Sequence, residues 1–383
     1  MRNDIVDYIL MKPPNNPFVL NTYHGKKYFC DREDDLDKLQ NHIDNERNVV
    51  LYAWRRLGKS ALIQRFFEEL EDTGKYETLY VDFLATHTIE DAVRTITTVI
   101  YDKYGKTKTG FSAAMQKLLS MMGATISFDP YSGAPELSLG LRQPGTEEHS
   151  LDVLGEFLRE RKKKIVITID EFQQVAHYEQ DNAEAIFRSW TQKFPDIRFI
   201  FSGSHRTMMV EMFADNSRPF YQSAQLMSLL PIPLEKYIPF IQGHFKAKGK
   251  TISNEQIEMI YTWARGQTYT IQLVCNYLYA QYTQVKDEHI QKIYQDILEQ
   301  QQGIFANFSK MLTRTQWNVF KAIAKEEPLY NPLSKDFIQK HRLGAASTVN
   351  TALKSLQKSE LVVVDDGAYL VHEVLLARWM AKL

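Results

Sequence analysis

The sequence predicts an α/β fold: a parallel sheet with helices on both faces, followed by a helical region and a winged helix-turn-helix. Three observations predict it. Up to about residue 230, short runs that are apolar on both faces alternate with stretches of helical periodicity, the pattern of a sheet covered on both sides. From Leu234 to Asn307 only helical periodicity remains. From Leu312 three short helices lead into a tight hairpin, the order of a winged helix. The expected division is therefore 1–230, 231–310 and 311–383.

The elements follow in chain order. Residues 1–29 read as an irregular lead-in rich in Pro and Asn. Leu36, Leu39 and Ile43 recur at helical spacing over 31–45, with Asp31 placed to cap the start. Asn48–Tyr52 (NVVLY) is a buried strand. A Gly/Lys/Ser turn follows, then a helix over 61–71 with Leu62, Phe66, Phe67 and Leu70 on one face and Gly74 as its stop. A strand at 78–83 and helices at 88–104 and 111–122 come next. Ala124–Leu141 alternates on either side of a Gly/Pro turn, the signature of a β-hairpin. A helix at 152–163, a strand at 165–169, a helix at 183–193 and a strand at 198–202 complete the first region. Near the end, helices are expected at 314–325, 335–340 and 347–359, and strands at 361–365 and 368–371 around Asp366-Gly367.

Composition bounds the function. A chain of 383 residues with 44% hydrophobic and 24% charged residues buries a large core without staples. With 46 Lys+Arg against 47 Asp+Glu the net charge is −1, which excludes a globally basic nucleic-acid coat and leaves room for a local basic face. Two cysteines, Cys30 and Cys275, exclude a disulfide framework and a cysteine zinc cluster, and point to the reducing cytoplasm. The N-terminus has no apolar signal core, no window of 18 apolar residues exists, and the histidines form no metal-binding pattern, so neither a membrane span nor a protein-ligated metal site is expected.

The strongest chemical signal lies between the first strand and the next helix: Ala53-Trp54-Arg55-Arg56-Leu57-Gly58-Lys59-Ser60, followed by Ala61. It is the phosphate-loop pattern with Ala53 in place of the first glycine. Gly58 permits the backbone that aims N–H groups at phosphates, and the helix start adds a positive dipole end. Lys59 is a point charge for the β- and γ-phosphates, and Ser60 offers a hydroxyl to Mg²⁺. Ala53 is harmless only where φ is negative. The second signal, Lys164–Glu171 (KIVITIDE), is an apolar strand ending in two carboxylates. Asp170 is the candidate for Mg²⁺ and Glu171 for the attacking water. The third, Phe199–Ser204 (FIFSGS), ends in small polar residues, and Ser202 and Ser204 are equal candidates to face the γ-phosphate.

Together these segments resemble the AAA-related, STAND-like P-loop ATPases of the archaeal-type ATPase family, most specifically in Arg55–Ser60 and in Ile169-Asp170-Glu171-Phe172-Gln173. The resemblance implies ATP as ligand, Mg²⁺ as cofactor and a helical lid ahead of the winged helix. Phe29–Leu36 is similar to the family's entry motif, with Asp31 where glycine is usual, so Arg32 and Glu33 become nucleotide-side candidates beside the alternative of a capped surface helix. The family's arginine after the third strand falls on Ser223 here; Arg218 is the nearby substitute, and Arg265 precedes Gly266 at the family's Gly-Gly-x-Pro turn. The function implied is an ATP-hydrolysing switch, slow or partner-dependent for want of that arginine. The alternatives are a hydrolysis-poor scaffold for a protein client and an ATP-dependent DNA-binding factor. DNA would meet the helix at 347–358 through Ser347, Asn350, Lys354 and Lys358, although ten Lys/Arg against seven Asp/Glu after Leu312 is a thin excess. A nucleotide-dependent oligomer is compatible with the resemblance.

Overall fold

The computed structural model describes residues 13–107, 110–111, 113–122, 125–128, 135–138, 146–180 and 182–383. The chain divides into two compact units, one of Asn21–Pro231 with the segment ending at Pro14, the other of Asn15–Leu20 with Ile232–Leu383.

In chain order the first unit contains α1 (Glu33–Asp44), β1 (Val49–Tyr52), α2 (Lys59–Asp72), β2 (Tyr76–Asp82) and α3 (Ile89–Tyr104). There follow a small ladder of β3 (Lys106–Thr107) with β4 (Gly110–Phe111), then α4 (Ala113–Met121), and the pair β5 (Thr125–Phe128) and β6 (Pro135–Ser138). The unit closes with α5 (Thr146–Arg159), β7 (Lys164–Asp170), a 3-10 helix (Phe172–His177), α6 (Ala183–Lys193), β8 (Arg198–Gly203), α7 (Arg206–Ala214) and β9 (Gln225–Ser228). β5 and β6 pair antiparallel, as the alternation at 124–141 predicts; the turn itself lies outside the described residues.

The main sheet runs β2-β7-β8-β1-β9, and every pairing is parallel. Side-chain parity divides its core in two, because successive residues of a strand point to opposite faces. On one face Val50, Ile165, Ile167, Ile169, Phe199 and Phe201 pack with α3, α5, α6 and α7. On the other, Val49, Leu51, Val166 and Ile200 pack with Leu36, Leu39 and Ile43 of α1 and Leu62, Ile63, Phe66, Phe67 and Leu70 of α2. This is the two-sided burial that the unbroken apolar runs predict.

Two local expectations are corrected. Asp31 does not cap α1: it lies in the left-handed region (φ 56°), as does Arg32 (φ 81°), and no side chain caps that helix. Asp tolerates this conformation better than most residues, which accounts for it at a position where glycine is usual. α2 begins at Lys59 rather than at residue 61, with left-handed Gly58 (φ 91°) at its N-cap. β9 and α7 carry no sequence expectation at all. β9 is a four-residue edge strand, half exposed, and too short to show a period.

In the second unit α8 (Leu234–Lys246), α9 (Asn254–Trp263), α10 (Thr268–Gln281) and the long α11 (Asp287–Met311) precede the terminal module. That module is α12 (Arg314–Glu326), α13 (Lys335–Lys340), α14 (Ala346–Lys358), the antiparallel pair β10 (Val362–Asp365) and β11 (Ala368–Val371), and α15 (Val374–Ala381). Asp366 and Gly367 both have positive φ, as the two-residue hairpin turn demands. The lead-in contributes here: Phe18 is buried against Phe240, Phe245 and Tyr279, the Asn16 side chain donates to the Asn276 carbonyl, and the Asn276 side chain donates to the Phe18 carbonyl.

A buried ion pair ties α9–α10 to the winged helix. Arg265, in the left-handed turn before α10, meets Glu327 at 3.1 Å and donates to the Val371 carbonyl at 2.6 Å; Glu327 also accepts from the Val371 amide. Arg378 of α15 donates to the Trp263 carbonyl at 2.9 Å. Arg265 is thus a strut inside this unit. No helix among the described residues is long and apolar enough to cross a membrane.

Candidate active site

The same parity that builds the core assembles the site. Residues 166, 168 and 170 of β7, 200 and 202 of β8, 49 and 51 of β1, and 76, 78, 80 and 82 of β2 share the face that carries α2. Every strand of a parallel sheet ends on the same edge. Asp170, Ser202, Tyr80 and the 53–60 loop therefore converge at the carboxyl end of the sheet, where α/β folds bind ligands.

The loop has the backbone that its residue types suggest. Ala53 is buried and is not among the positive-φ positions, so a methyl group is accommodated where the pattern has glycine. Arg56 and Gly58 take left-handed conformations (φ 68° and 91°) and turn the chain into the start of α2. Arg55 and Arg56 are exposed, while Leu57 is buried. Trp54 is half-buried, and the Arg206 guanidinium lies 5.2 Å from its ring centroid, a cation–π arrangement. Ala61 follows in the first turn of α2.

Asp170 is the hub. Its Oδ1 accepts from the Lys59 ammonium, from the Ser202 hydroxyl at 2.6 Å and from the Glu171 amide at 3.0 Å. Its Oδ2 accepts from Ser60 at 3.4 Å and from the Tyr80 hydroxyl. Lys59 also donates to Ser202 at 2.6 Å. Burial works to raise the Asp170 carboxyl; the Lys59 ammonium, helped by the bonds from Ser202 and Tyr80, outweighs it and brings the group down to about 2. Both Lys59 and Asp170 are buried, so the pair gains Coulomb energy in a low dielectric at the cost of desolvation, and its donors satisfy the remaining lone pairs.

Glu171 stands just past the strand in a left-handed conformation (φ 52°), and its carboxylate has side-chain donors of its own. Ser204 donates to its Oε2 at 2.8 Å, and Gln173 donates to the same oxygen. Gly203 makes this possible: a Cβ there would stand 2.4 Å from Gln173 Oε1, so only glycine lets that amide lie against the tip of β8. The two serines thus divide: Ser202 belongs to Lys59 and Asp170, Ser204 to Glu171.

The other candidates are placed differently. Arg32 is buried; its guanidinium donates to the Leu57 carbonyl at 3.1 Å and the Leu230 carbonyl at 2.6 Å and pairs with Asp35 at 3.1 Å, so it braces the loop from behind. Glu33 is exposed in the first turn of α1. Arg218 pairs with Glu184 of α6 at 2.8 Å rather than with the loop. Sequence reasoning missed Tyr80, Gln173 and Arg206. Gln173 stood in the quoted Asp-Glu-Phe-Gln segment without a role, whereas Tyr80 reaches the site only through strand register and Arg206 only through the packing of α7 beside β1.

Residues 29–274 match the family model described as "ATPase domain predominantly from Archaea", and residues 303–382 match a "probable winged helix domain". The chain is similar to the Walker-type ATPase PABY2304 of Pyrococcus abyssi, with a TM-score of 0.66 at 17% identity over 95% of this chain and 99% of that one. It is also similar to the ORC2 protein of Aeropyrum pernix in ADPNP-ADP complexes (TM-score 0.59, 13% identity, 96% and 95% covered). A third likeness is to the Aeropyrum pernix ORC1 protein in complex with DNA (TM-score 0.52, 13% identity, 96% of both chains). At these identities the likeness is one of fold. No curated protein matches the chain. A parallel sheet with a phosphate-type loop at its carboxyl edge, matched over 29–274, makes this chain an ATP-binding ATPase that belongs to the family of ATPase domains predominantly from Archaea, with a winged helix domain following.

Proposed function

We propose that the chain hydrolyses ATP with Mg²⁺ and uses the hydrolysis as a conformational switch. One observation carries the reading: Lys59, Ser60, Asp170 and Ser202 meet in one hydrogen-bonded cluster at the loop, with Glu171 held beside it by Ser204 and Gln173. The donor set fits the cofactor, since a serine hydroxyl and a carboxylate oxygen 3.4 Å apart are hard oxygen ligands, and Mg²⁺ takes the rest from phosphate and water. Ser60 and Asp170 would hold the ion, which would neutralise charge on the phosphates. Lys59 and the amides of Ala53–Ala61 bind the phosphates, Glu171 orients or activates water, and Ser204 links Glu171 to the tip of β8. The compartment that fits two reduced, buried cysteines is the cytoplasm. The proposed working parts are the ATPase region 1–230, the helical lid 231–310 and the winged helix 311–383.

Lys59 rests on Asp170, so the phosphates must draw it away. Titration with a labelled ATP·Mg²⁺ analogue is expected to saturate for the wild type and to show at least a hundredfold weaker binding for Lys59→Glu, since reversal turns an attraction into a repulsion. Equal binding by the variant would overturn the loop assignment. The switch is tested by solution scattering: profiles with a non-hydrolysable ATP analogue and with ADP are expected to differ, because loss of the γ-phosphate changes contacts. Superimposable profiles would leave a hydrolase without a switch.

A second reading, ATP-dependent DNA binding, is favoured by α14. Its outer face exposes Ser347, Thr348, Thr351, Lys354, Ser355 and Lys358, with Val349, Leu353 and Leu356 turned inward, which is how a recognition helix is laid out. The fold likeness to an ORC1 protein solved with DNA points the same way. Duplex DNA binding that weakens with salt and drops about tenfold in Lys354→Glu is the expected result of this reading. Unchanged binding in the variant would dismiss α14 as the reader.

A further inference from the structure

We infer that Tyr80 is a positioning residue for the magnesium-linked step: its hydroxyl holds the Asp170 carboxylate with one oxygen turned toward Ser60. The inference rests on the reading of Ser60 and Asp170 as the magnesium-side pair.

The geometry starts from register. β2 pairs with β7 along its whole length, and Tyr80 stands opposite Thr168, two residues short of Asp170. Two residues of strand rise roughly 6.6 Å, a gap that a tyrosine spans and a serine or threonine does not. Tyr80 and Asp170 lie on the same face of the sheet, so the phenol runs along that face and its hydroxyl reaches Asp170 Oδ2. The ring packs against the apolar cluster under α2, which fixes its direction.

The carboxylate has two edges with different neighbours. Oδ1 faces Lys59, Ser202 and the Glu171 amide; Oδ2 faces Ser60 and Tyr80. The terminal torsion of an aspartate is broad and roughly two-fold, so its bonds decide which edge points where. On the Oδ2 edge, Ser60 belongs to the phosphate loop and is committed to the ligand when one binds. Tyr80 is the donor that stays. When Lys59 leaves Asp170 for phosphate, Oδ1 loses its charged partner, and the Tyr80 bond keeps the carboxylate from turning.

Tyr80→Phe removes the hydroxyl and keeps the ring. Partners that orient a metal ligand typically contribute ten- to a hundredfold to metal affinity. A fluorescent ATP analogue is titrated into the full chain, wild type and Tyr80→Phe, first in EDTA and then across a Mg²⁺ series. The expected result has two parts. Metal-free binding by the variant stays within about twofold of wild type, which also reports an intact fold, and the Mg²⁺ concentration giving half of the metal-induced tightening rises about tenfold. An unchanged or lower Mg²⁺ midpoint, with the wild type tightening normally, makes Tyr80 a packing residue only and overturns the inference. Equal losses with and without metal overturn it too. A wild type that shows no Mg²⁺-induced tightening fails at the earlier stage, bringing down the magnesium reading and this inference with it.

Discussion

Glu171→Gln is expected to bind ATP·Mg²⁺ within about twofold of wild type and to release phosphate at least about a hundred times more slowly, the scale that a positioned general base supplies. The substitution keeps the shape and an oxygen for the Ser204 hydroxyl, now 2.8 Å from Oε2, so the β8 tip stays in place. It removes the charge that would draw a proton from water. The two acids have different side-chain donors, and Asp170 remains with Lys59, Ser60 and Tyr80 in the variant. Loss of turnover with binding preserved is therefore specific to Glu171. Equilibrium binding of labelled ATP beside a phosphate-release assay reads both quantities. An undiminished rate would move the water-activating role elsewhere, and a wild type with no rate to lose would favour the scaffold alternative.

The second large effect is on stability. Glu327→Ala is expected to destabilise the unit of Ile232–Leu383 by about 3 kcal/mol, the cost of leaving one member of a buried pair alone. At roughly 2–4 °C per kcal/mol for a body of this size, the melting temperature falls by roughly 6–12 °C. Glu327 is 3% exposed and Arg265 20%, so water restores little of what the carboxylate supplied. Burial raises the Glu327 carboxyl and lowers the Arg265 guanidinium, each against the pull of the other, so desolvation is the larger effect on both partners. A buried pair in that condition is worth little against an apolar replacement. Combining Glu327→Ala with Arg265→Met is therefore expected to recover most of the loss in a thermal melt. A single variant that melts with the wild type, or a double variant no better than the single, would show that the pair does not tie the helices to the winged helix.

Most of the architecture was legible because the signals are long and periodic. The runs at 48–52 and 164–170 are apolar on both faces, which only a sheet covered on both sides satisfies, and the three helices with a hairpin after Leu312 need no partner to be recognised. What escaped was short or context-dependent. β9 has four residues and an exposed edge, and the left-handed pair Asp31-Arg32 obeys a tertiary demand. That turn buries the Arg32 guanidinium against the Leu57 and Leu230 carbonyls, whereas a capped surface helix would have left it outside.

The sequence by itself determined which chemical groups are present and where the chain turns: Gly58-Lys59-Ser60 between a strand and a helix, and Asp170-Glu171 at the end of an apolar run. These depend on local backbone freedom and on residue type, both of which are written in consecutive letters. Only the tertiary structure decided who partners whom. Strand order set β8 between β1 and β7, so Ser202 bridges Lys59 and Asp170 while Ser204 is left to Glu171. Register placed Tyr80 beside Asp170 across 90 residues of chain, and packing gave Arg218 to Glu184 and Arg265 to Glu327. Such pairings depend on distance in space, which a linear pattern does not encode; in the sheet alone, one residue of slip in a strand would turn Tyr80, Asp170 or Ser202 to the opposite face.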